Sequence, residues 1–259
     1  MDIILMSIVA GIIGTGLGGV ITAIFGSRTD KMVSAFLSFA GGVMTSIVLF
    51  ELIPDASQHS SPVVVLIGLT LGVVMVLALN IVIDKSSSTN KGNSKLHETF
   101  EDFYHESGVV SNKNRMKQSG MLMFLVIGLH NIPEGLIIGA AGHHDAPLGM
   151  TLAIMIGIHN TPEGMAIAAP LISGELNKGK AIVLTLLAGV PTVFGAAIGY
   201  LVGGVSDLAI ALSFAIAGGA MLYAVFGEIL PQSMHMSEDR VPTIILLVGI
   251  AFGYIMTYI

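Results

Sequence analysis

The chain contains no cysteine and no tryptophan, and only 11% of its 259 residues are charged. The first absence excludes a disulfide framework and every thiolate metal site. The scarcity of charge excludes an ordinary soluble domain, in which about 25% of residues are charged and cover the surface. Basic residues are scarcest, 11 Lys and Arg against 17 Asp and Glu, and a formal net charge of -6 rules out a nucleic-acid binder. What fills the chain instead is apolar: 53% hydrophobic residues and a mean hydropathy of +0.86. A bilayer crossing takes about 20 apolar residues, so eight crossings fit with short connections and one longer one.

Apolar runs bounded by charge, proline or Gly/Ser predict an all-α membrane protein, a single transmembrane domain over 1–259. The eight helices fall at about 3–25, 32–54, 63–83, 121–142, 148–172, 181–203, 208–232 and 241–259. The first run begins at Ile3 without a basic leader region or a small-residue cleavage site, and is read as a retained helix. Segment 84–120 is rich in Ser, Asn and Lys and is read as a mobile loop. All 11 Lys and Arg fall in the first, third, fifth and seventh connections, among them Arg28, Lys31, Lys178, Lys180 and Arg240. The positive-inside rule therefore makes those connections, 84–120 included, cytoplasmic and leaves both termini outside.

The chain also repeats itself. Gly41-Gly42-Val43-Met44 followed by Glu51 and Pro54 in the second run returns as Gly218-Gly219-Ala220-Met221 followed by Glu228 and Pro231 in the seventh. Spacing aligns Gly14, Gly18 and Gly19 with Gly199, Gly203 and Gly204, and Gly68, Gly72 and Met75 with Gly249, Gly253 and Met256. Helices 1–3 thus match helices 6–8 in opposite orientation, the inverted-repeat plan of secondary transporters. Glycine spacing alone would say only that helices pack closely. The shared Met, Glu and Pro positions say more.

Between the repeats, helices 4 and 5 carry His130-Asn131-Ile132-Pro133-Glu134-Gly135 and His159-Asn160-Thr161-Pro162-Glu163-Gly164 near mid-span. His and Glu four residues apart share one helix face, so each helix offers an imidazole nitrogen and a carboxylate to one point between them. Bundles that hold metals with carboxylates and imidazoles use the same geometry. Each internal proline removes a backbone donor and displaces the carbonyl four residues back, at Leu129 and Ile158, which predicts kinks lining a path.

Energetics weighs the same way. An ionised carboxylate at the bilayer centre costs at least about 2.5 to 3.5 kcal/mol, and Glu134, Glu163, Glu51 and Glu228 all lie in apolar runs that contain no Lys or Arg. A divalent cation would neutralise Glu134 and Glu163 together; the alternative is protonated glutamates hydrogen-bonded to His130 and His159. Met44 offers a thioether as soft ligand or as packing, and Asn131 and Asn160 offer carbonyl oxygens or helix-to-helix hydrogen bonds. Glu51 and Glu228 are candidate pathway ligands at opposite mouths, with His235 and Asp239 following on the inner side. Outer His59, His143 and His144 with Asp55 and Asp145 are candidates for gathering cations, and His97 and His105 in the long loop for sensing them.

With its paired HNIPEG and HNTPEG motifs in helices 4 and 5 of eight, and a His-containing loop after helix 3, the chain resembles the ZIP (Zrt/Irt-like) family of divalent metal transporters, in particular its prokaryotic zinc-uptake branch. The likeness covers essentially the whole chain. It implies a 3+2+3 helix arrangement and uptake of Zn2+, with Fe2+, Mn2+ and Cd2+ as further cargo, from outside to cytoplasm across a prokaryotic inner membrane. It implies a transport site at Met44, His130, Glu134 and Glu163 and a neighbouring position at Asn131, Glu134, Asn160 and Glu163; His159 stands where some relatives have Gln. It makes a homodimer an expectation, with the metal as substrate and no resident cofactor. One departure stands out: Val190 precedes Pro191 where binuclear members have Glu, which predicts a dominant first position and a weak or absent second one. The rival readings are an intramembrane metal-dependent hydrolase using the same His and Glu with a metal-bound water, and a proton-coupled carrier of an organic substrate working through Glu134 and Glu163.

Overall fold

The computed structural model describes residues 3–26, 29–88, 109–202, 206–237 and 239–257. Within them the chain is helical: α1 Ile3–Phe25, α2 Asp30–His59, α3 Pro62–Ser88, α4 Val109–His144, α5 Ala146–Ser173, α6 Lys178–Leu201, α7 Asp207–Met236 and α8 Val241–Met256. Six are long and apolar enough to cross a membrane; α8, with 16 residues, is apolar but shorter, and α5 is diluted by its His, Asn, Thr and Glu. Starts are set locally. Thr29, Asp145, Asn177 and Ser206 accept backbone N–H groups of the first turns of α2, α5, α6 and α7 through their side-chain oxygens.

Three sequence expectations change. α4 begins at Val109, not at 121, because its polar first turns dock on the end of α5: Met116 is buried, Gly120 sits under Leu171, and Lys113 Nζ donates to Glu175 Oε1 at 2.5 Å. Residues 89–108 of the loop, with His97 and His105, lie outside the described residues, as does the side chain of His144. α4 and α5 run as continuous helix through Pro133 and Pro162, so the path is marked by side chains and not by broken backbone. α2 and α7 continue past Pro54 and Pro231 to His59 and Met236 because a π-turn precedes each proline, over Val48–Leu52 and Val225–Ile229. A π-turn passes over one carbonyl of the α-ladder, which lets a residue without N–H follow without breaking the helix.

The helices pack as two sets of four. α1 lies on α5, α4 on α5 and the second half of α6 on α4; α2 lies on α8 and α3 on α7; contacts of α2 with α5 and of α7 with α4 join the sets. Glycine makes the close crossings: a Cβ on Gly164 would overlap the carbonyl of Thr15, and one on Gly135 the carbonyl of Thr192. Gly42 rests in the same way on the Leu246 carbonyl and Gly219 on that of Leu69, while Gly72 meets Ile216 and Gly249 meets Phe39. Each such partner is matched by a residue 177 positions away. The contacts therefore relate Gly72 to Gly249 and Thr15 to Thr192, a different register from the glycine spacings of helices 1 and 3, which slid by two turns and one turn because glycine recurs every fourth residue there.

The crossing of α2 and α7 differs at its two ends. At one, Ser34, Ser38 and Ser233 are all buried: the Ser233 hydroxyl meets those of Ser38 and Ser34 at 2.5 and 3.0 Å, Ser34 Oγ stands 2.7 Å from the Ser233 carbonyl and Ser233 Oγ 2.8 Å from the Ser34 carbonyl. At the other, the positions 177 residues away are Ala211, Ala215 and Ala56, buried and bare. The surface is apolar, with Leu66, Phe194, Leu201 and Leu247 more than half exposed, as lipid contact requires. Charge collects at helix ends: Asp239 accepts from Ser237, Lys31 and the Val241 N–H, which hold its carboxyl below the usual range.

Gly219→Ala should lower the thermal stability of the detergent-solubilised chain by about 1 to 3 kcal/mol, the usual cost of overpacking. Gly128→Ala, whose new methyl would meet nothing closer than 3.9 Å, should leave it unchanged. Equal melting temperatures for the two variants would contradict the crossing described.

Candidate metal centre

The two hexapeptide motifs meet. His130, Asn131, Glu134, His159, Asn160 and Glu163 are each no more than 4% exposed, and they face one another across the α4–α5 contact. Ligand atoms of His130, Glu134 and Glu163 lie within 4.8 Å of one another, the spacing a single cation needs. Glu134 Oε1 is shared: His130 Nε2 and His159 Nε2 each approach it at 2.8 Å. His130 Nε2 also stands 3.4 Å from Glu163 Oε1. Only the His159 contact has hydrogen-bond alignment.

The unsatisfied atoms define the centre. Both oxygens of Glu163, Oε2 of Glu134, both ring nitrogens of His130 and the amide oxygens of Asn131 and Asn160 are buried without a hydrogen-bond partner. Each such group costs about 1 to 3 kcal/mol, more when charged, if nothing fills it. A lattice of protonated glutamates and histidines would have used these atoms on each other. Glu163, fully buried, has no hydrogen bond to either oxygen, its nearest imidazole nitrogen standing 3.4 Å away.

The asparagines are oriented from behind. Asn131 Nδ2 donates to the Ala188 carbonyl at 2.8 Å and Asn160 Nδ2 to the Ala10 carbonyl at 3.2 Å. Both acceptors are available because the α-ladder is interrupted beside them. In α6, Thr192 N bonds Gly189 O at 3.3 Å and not Ala188 O. In α1, a π-turn over Ile8–Ile13 sends the Gly14 N–H to Val9 and Gly11, passing over Ala10. With its N–H2 group anchored, each amide turns its oxygen inward, the orientation a cation needs.

Other candidates lie at varying remove. Met44 is fully buried in α2, which packs on α5. Val190 opens the second half of α6 after the turn at Gly189 and is partly buried; beside it the buried hydroxyl of Thr192 lacks a partner. Glu51, in the π-turn of α2, is close enough to His159, Glu134 and His130 to feel their charges, and to Asp55 on its other side. Glu228, in the π-turn of α7, accepts from Asn80 Nδ2 of α3 at 3.2 Å. His235 and Asp239 are exposed at the end of α7 and are not brought to the centre; Asp239 is paired with Lys31 at 3.2 Å. At the opposite end His59 Nδ1 lies 3.0 Å from Asp207 Oδ1, His143 stacks edge-on against Tyr200, and Asp145 caps α5. Sequence reasoning missed the anchoring role of Ala10 and Ala188; Pro191, which cannot continue a helical ladder, was the available signal for the second.

The family model for ZIP zinc transporters matches residues 2–259 of the chain. The chain is similar to proteins named zinc transporter ZupT. It is 33% identical over 258 residues to that of Akkermansia muciniphila, covering 95% of this chain and 93% of the relative. It is 33% identical over 246 residues to that of Nitratidesulfovibrio vulgaris, covering 91% and 88%. It is 32% identical over 257 residues to that of Lysinibacillus sphaericus, covering 95% and 93%. A match from the second residue to the last, with paired motifs that meet in a buried His/Glu cluster, places this chain in the ZIP zinc transporter family.

Proposed function

We propose that the chain moves divalent metal ions, Zn2+ first and Fe2+, Mn2+ and Cd2+ as further cargo, across a prokaryotic inner membrane into the cytoplasm. The observation that carries this is the cluster around Glu134 and Glu163: two buried acids whose neighbours are imidazoles, and three of whose four oxygens have no hydrogen-bond partner, call for a mobile cation. His130, Glu134 and Glu163 are its main ligands, Met44 its soft ligand from α2, and Asn131 and Asn160, with Glu134 and Glu163, a weaker neighbouring position. His159 orients Glu134, and Glu51 and Glu228 receive the ion on either side, with His235 and Asp239 beyond. Such a mixed site exchanges ligands, whereas a closed tetrahedral cage would hold its zinc as structure.

An architecture of 3+2+3 helices with inverted repeats belongs to the same reading, and so do outside termini, cytoplasmic odd-numbered connections and a homodimer. The glycine crossings at the constant 177-residue shift support the repeats, and the distribution of Lys and Arg supports the orientation. The homodimer rests on the resemblance alone. Met44 stands in one four-helix set and the His/Glu cluster in the other, so a slide or rock of one set against the other alters the ligand shell and hands the ion on. The family match gives a hydrolase or a carrier of organic substrate no support.

Three outcomes follow. Reconstituted alone in sealed vesicles, the chain accumulates Zn2+, and Glu134→Ala or Glu163→Ala abolishes that uptake while the variants elute and melt as folded protein; normal accumulation by either would refute the ligand assignment. Titration of purified protein finds one tightly held Zn2+ per chain, Val190 having removed a carboxylate from the second position; two tight ions would contradict this. Because the chain is free of cysteine, single cysteines at Asn177 and Ser60 report sidedness in intact cells. Ser60→Cys reacts with an impermeant maleimide and Asn177→Cys reacts only after permeabilisation; the reverse pattern would invert the topology.

A further inference from the structure

The two π-turn helices end in related pentapeptides, Glu51-Leu52-Ile53-Pro54-Asp55 in α2 and Glu228-Ile229-Leu230-Pro231-Gln232 in α7, 177 residues apart. First and fifth residues of such a segment fall on one helix face. On α2 both are acids. On α7 the second is an amide.

The α2 pair continues the central cluster outward. Glu51 and Asp55 lie one turn apart on α2, which packs on α5 beside the cluster, His59 follows at the end of the same helix, and His59 Nδ1 meets Asp207 Oδ1 at 3.0 Å. Oxygen and imidazole donors thus run from the metal centre to the rim of the bundle. On α7, Glu228 Oε1 accepts from Asn80 at 3.2 Å, with Tyr223 beside the same amide at 3.5 Å. One turn on, Gln232 is 4% exposed and its Oε1 has no hydrogen-bond partner. This neutral amide oxygen, buried without a hydrogen-bond partner, lies one turn from Glu228 and at the counterpart of the acid Asp55.

We propose that Glu228 and Gln232 form a divalent-cation half-site on α7, the weaker counterpart of a half-site formed by Glu51 and Asp55 on α2. The inference rests on the transporter reading for its cargo but not for its geometry. Two carboxylates balance a doubly charged ion, whereas one carboxylate and one amide oxygen leave it half-neutralised and held chiefly by dipole and water. The ion is retained at the α2 end and let go at the α7 end. In a passive carrier this asymmetry cannot set the direction of net flow, which the gradient decides; it sets the concentration at which each face saturates.

The test uses the full chain in vesicles, with Zn2+ presented to one face at a time, and the purified chain in equilibrium dialysis against Zn2+ alone. Gln232→Glu should lower half-saturation at the α7 face by about tenfold, the effect of one added carboxylate in a partly screened site, and slow release there. Asp55→Asn should raise half-saturation at the α2 face by a similar factor and leave the α7 face unchanged. In a Glu134→Ala/Glu163→Ala background, which lacks the central ligands, Gln232→Glu should increase the Zn2+ retained per chain. If both substitutions leave their own face within twofold of the parent and dialysis shows no gain, the half-sites are refuted even though the parent transports. A parent that moves no zinc while its Gln232→Glu variant gains a bound ion would refute the transporter reading and keep the half-site.

Discussion

Two carboxylates buried in an apolar bundle, with only imidazoles beside them, constrain everything else in this chain. Glu134 meets both facing imidazoles at 2.8 Å, but the oxygens of Glu163 and the second oxygen of Glu134 have no hydrogen-bond partner, and a cation would occupy them. The surrounding features serve the same need. Gly135 and Gly164 let α6 and α1 close to van der Waals contact behind the motifs, and the anchored amides of Asn131 and Asn160 add neutral oxygens without adding charge. Irregular backbone in α1 and α6 supplies the anchoring carbonyls. A metal site in lipid is built here by bending the helices that surround the ligands as much as by choosing the ligands.

The close glycine crossings tie the two four-helix sets internally, while the sets meet through fewer contacts, along α2 with α5 and α7 with α4. The metal centre sits at that seam. A site at the boundary between two stiff bodies can change its ligand shell when the bodies shift, without any helix unfolding. The α2–α7 crossing is itself unequal at its two ends, with hydroxyl-bonded Ser34, Ser38 and Ser233 at one and bare Ala211, Ala215 and Ala56 at the other. Interhelical hydroxyl bonds of this kind contribute about 0.6 kcal/mol each in membranes.

Much of this was legible in the sequence because bilayer thickness imposes a coarse rule that composition obeys. The eight apolar runs marked the helices to within a few residues at most ends, and the repeated hexapeptide marked the centre. What escaped reading follows from particular residues. Val109 to Gly120 is too polar to resemble a span, yet it is helical because Met116 and Gly120 have the end of α5 to pack against. The π-turns before Pro54 and Pro231 carry no composition signal; the prolines suggested ends where the helices only change pitch. Glycine at every fourth position left the register of helices 1 and 3 degenerate by whole turns, and the carbonyls of Thr15, Phe39 and Leu69 remove that ambiguity. Asn131 and Asn160 were ambiguous between ligand and hydrogen-bond roles because an amide can serve both: each nitrogen is bonded to a backbone carbonyl and each oxygen is buried without a hydrogen-bond partner.

Met44, fully buried, carries a thioether sulfur in the packed interior of a chain without a single thiol. Thiolates are the donors that peroxide and hypochlorous acid destroy first, and an exposed methionine follows them to the sulfoxide. Nitrogen and oxygen donors with one shielded sulfur resist both reactions. A route of the kind proposed, with Met44 as its one sulfur donor, would therefore outlast an oxidative attack that releases zinc from thiols.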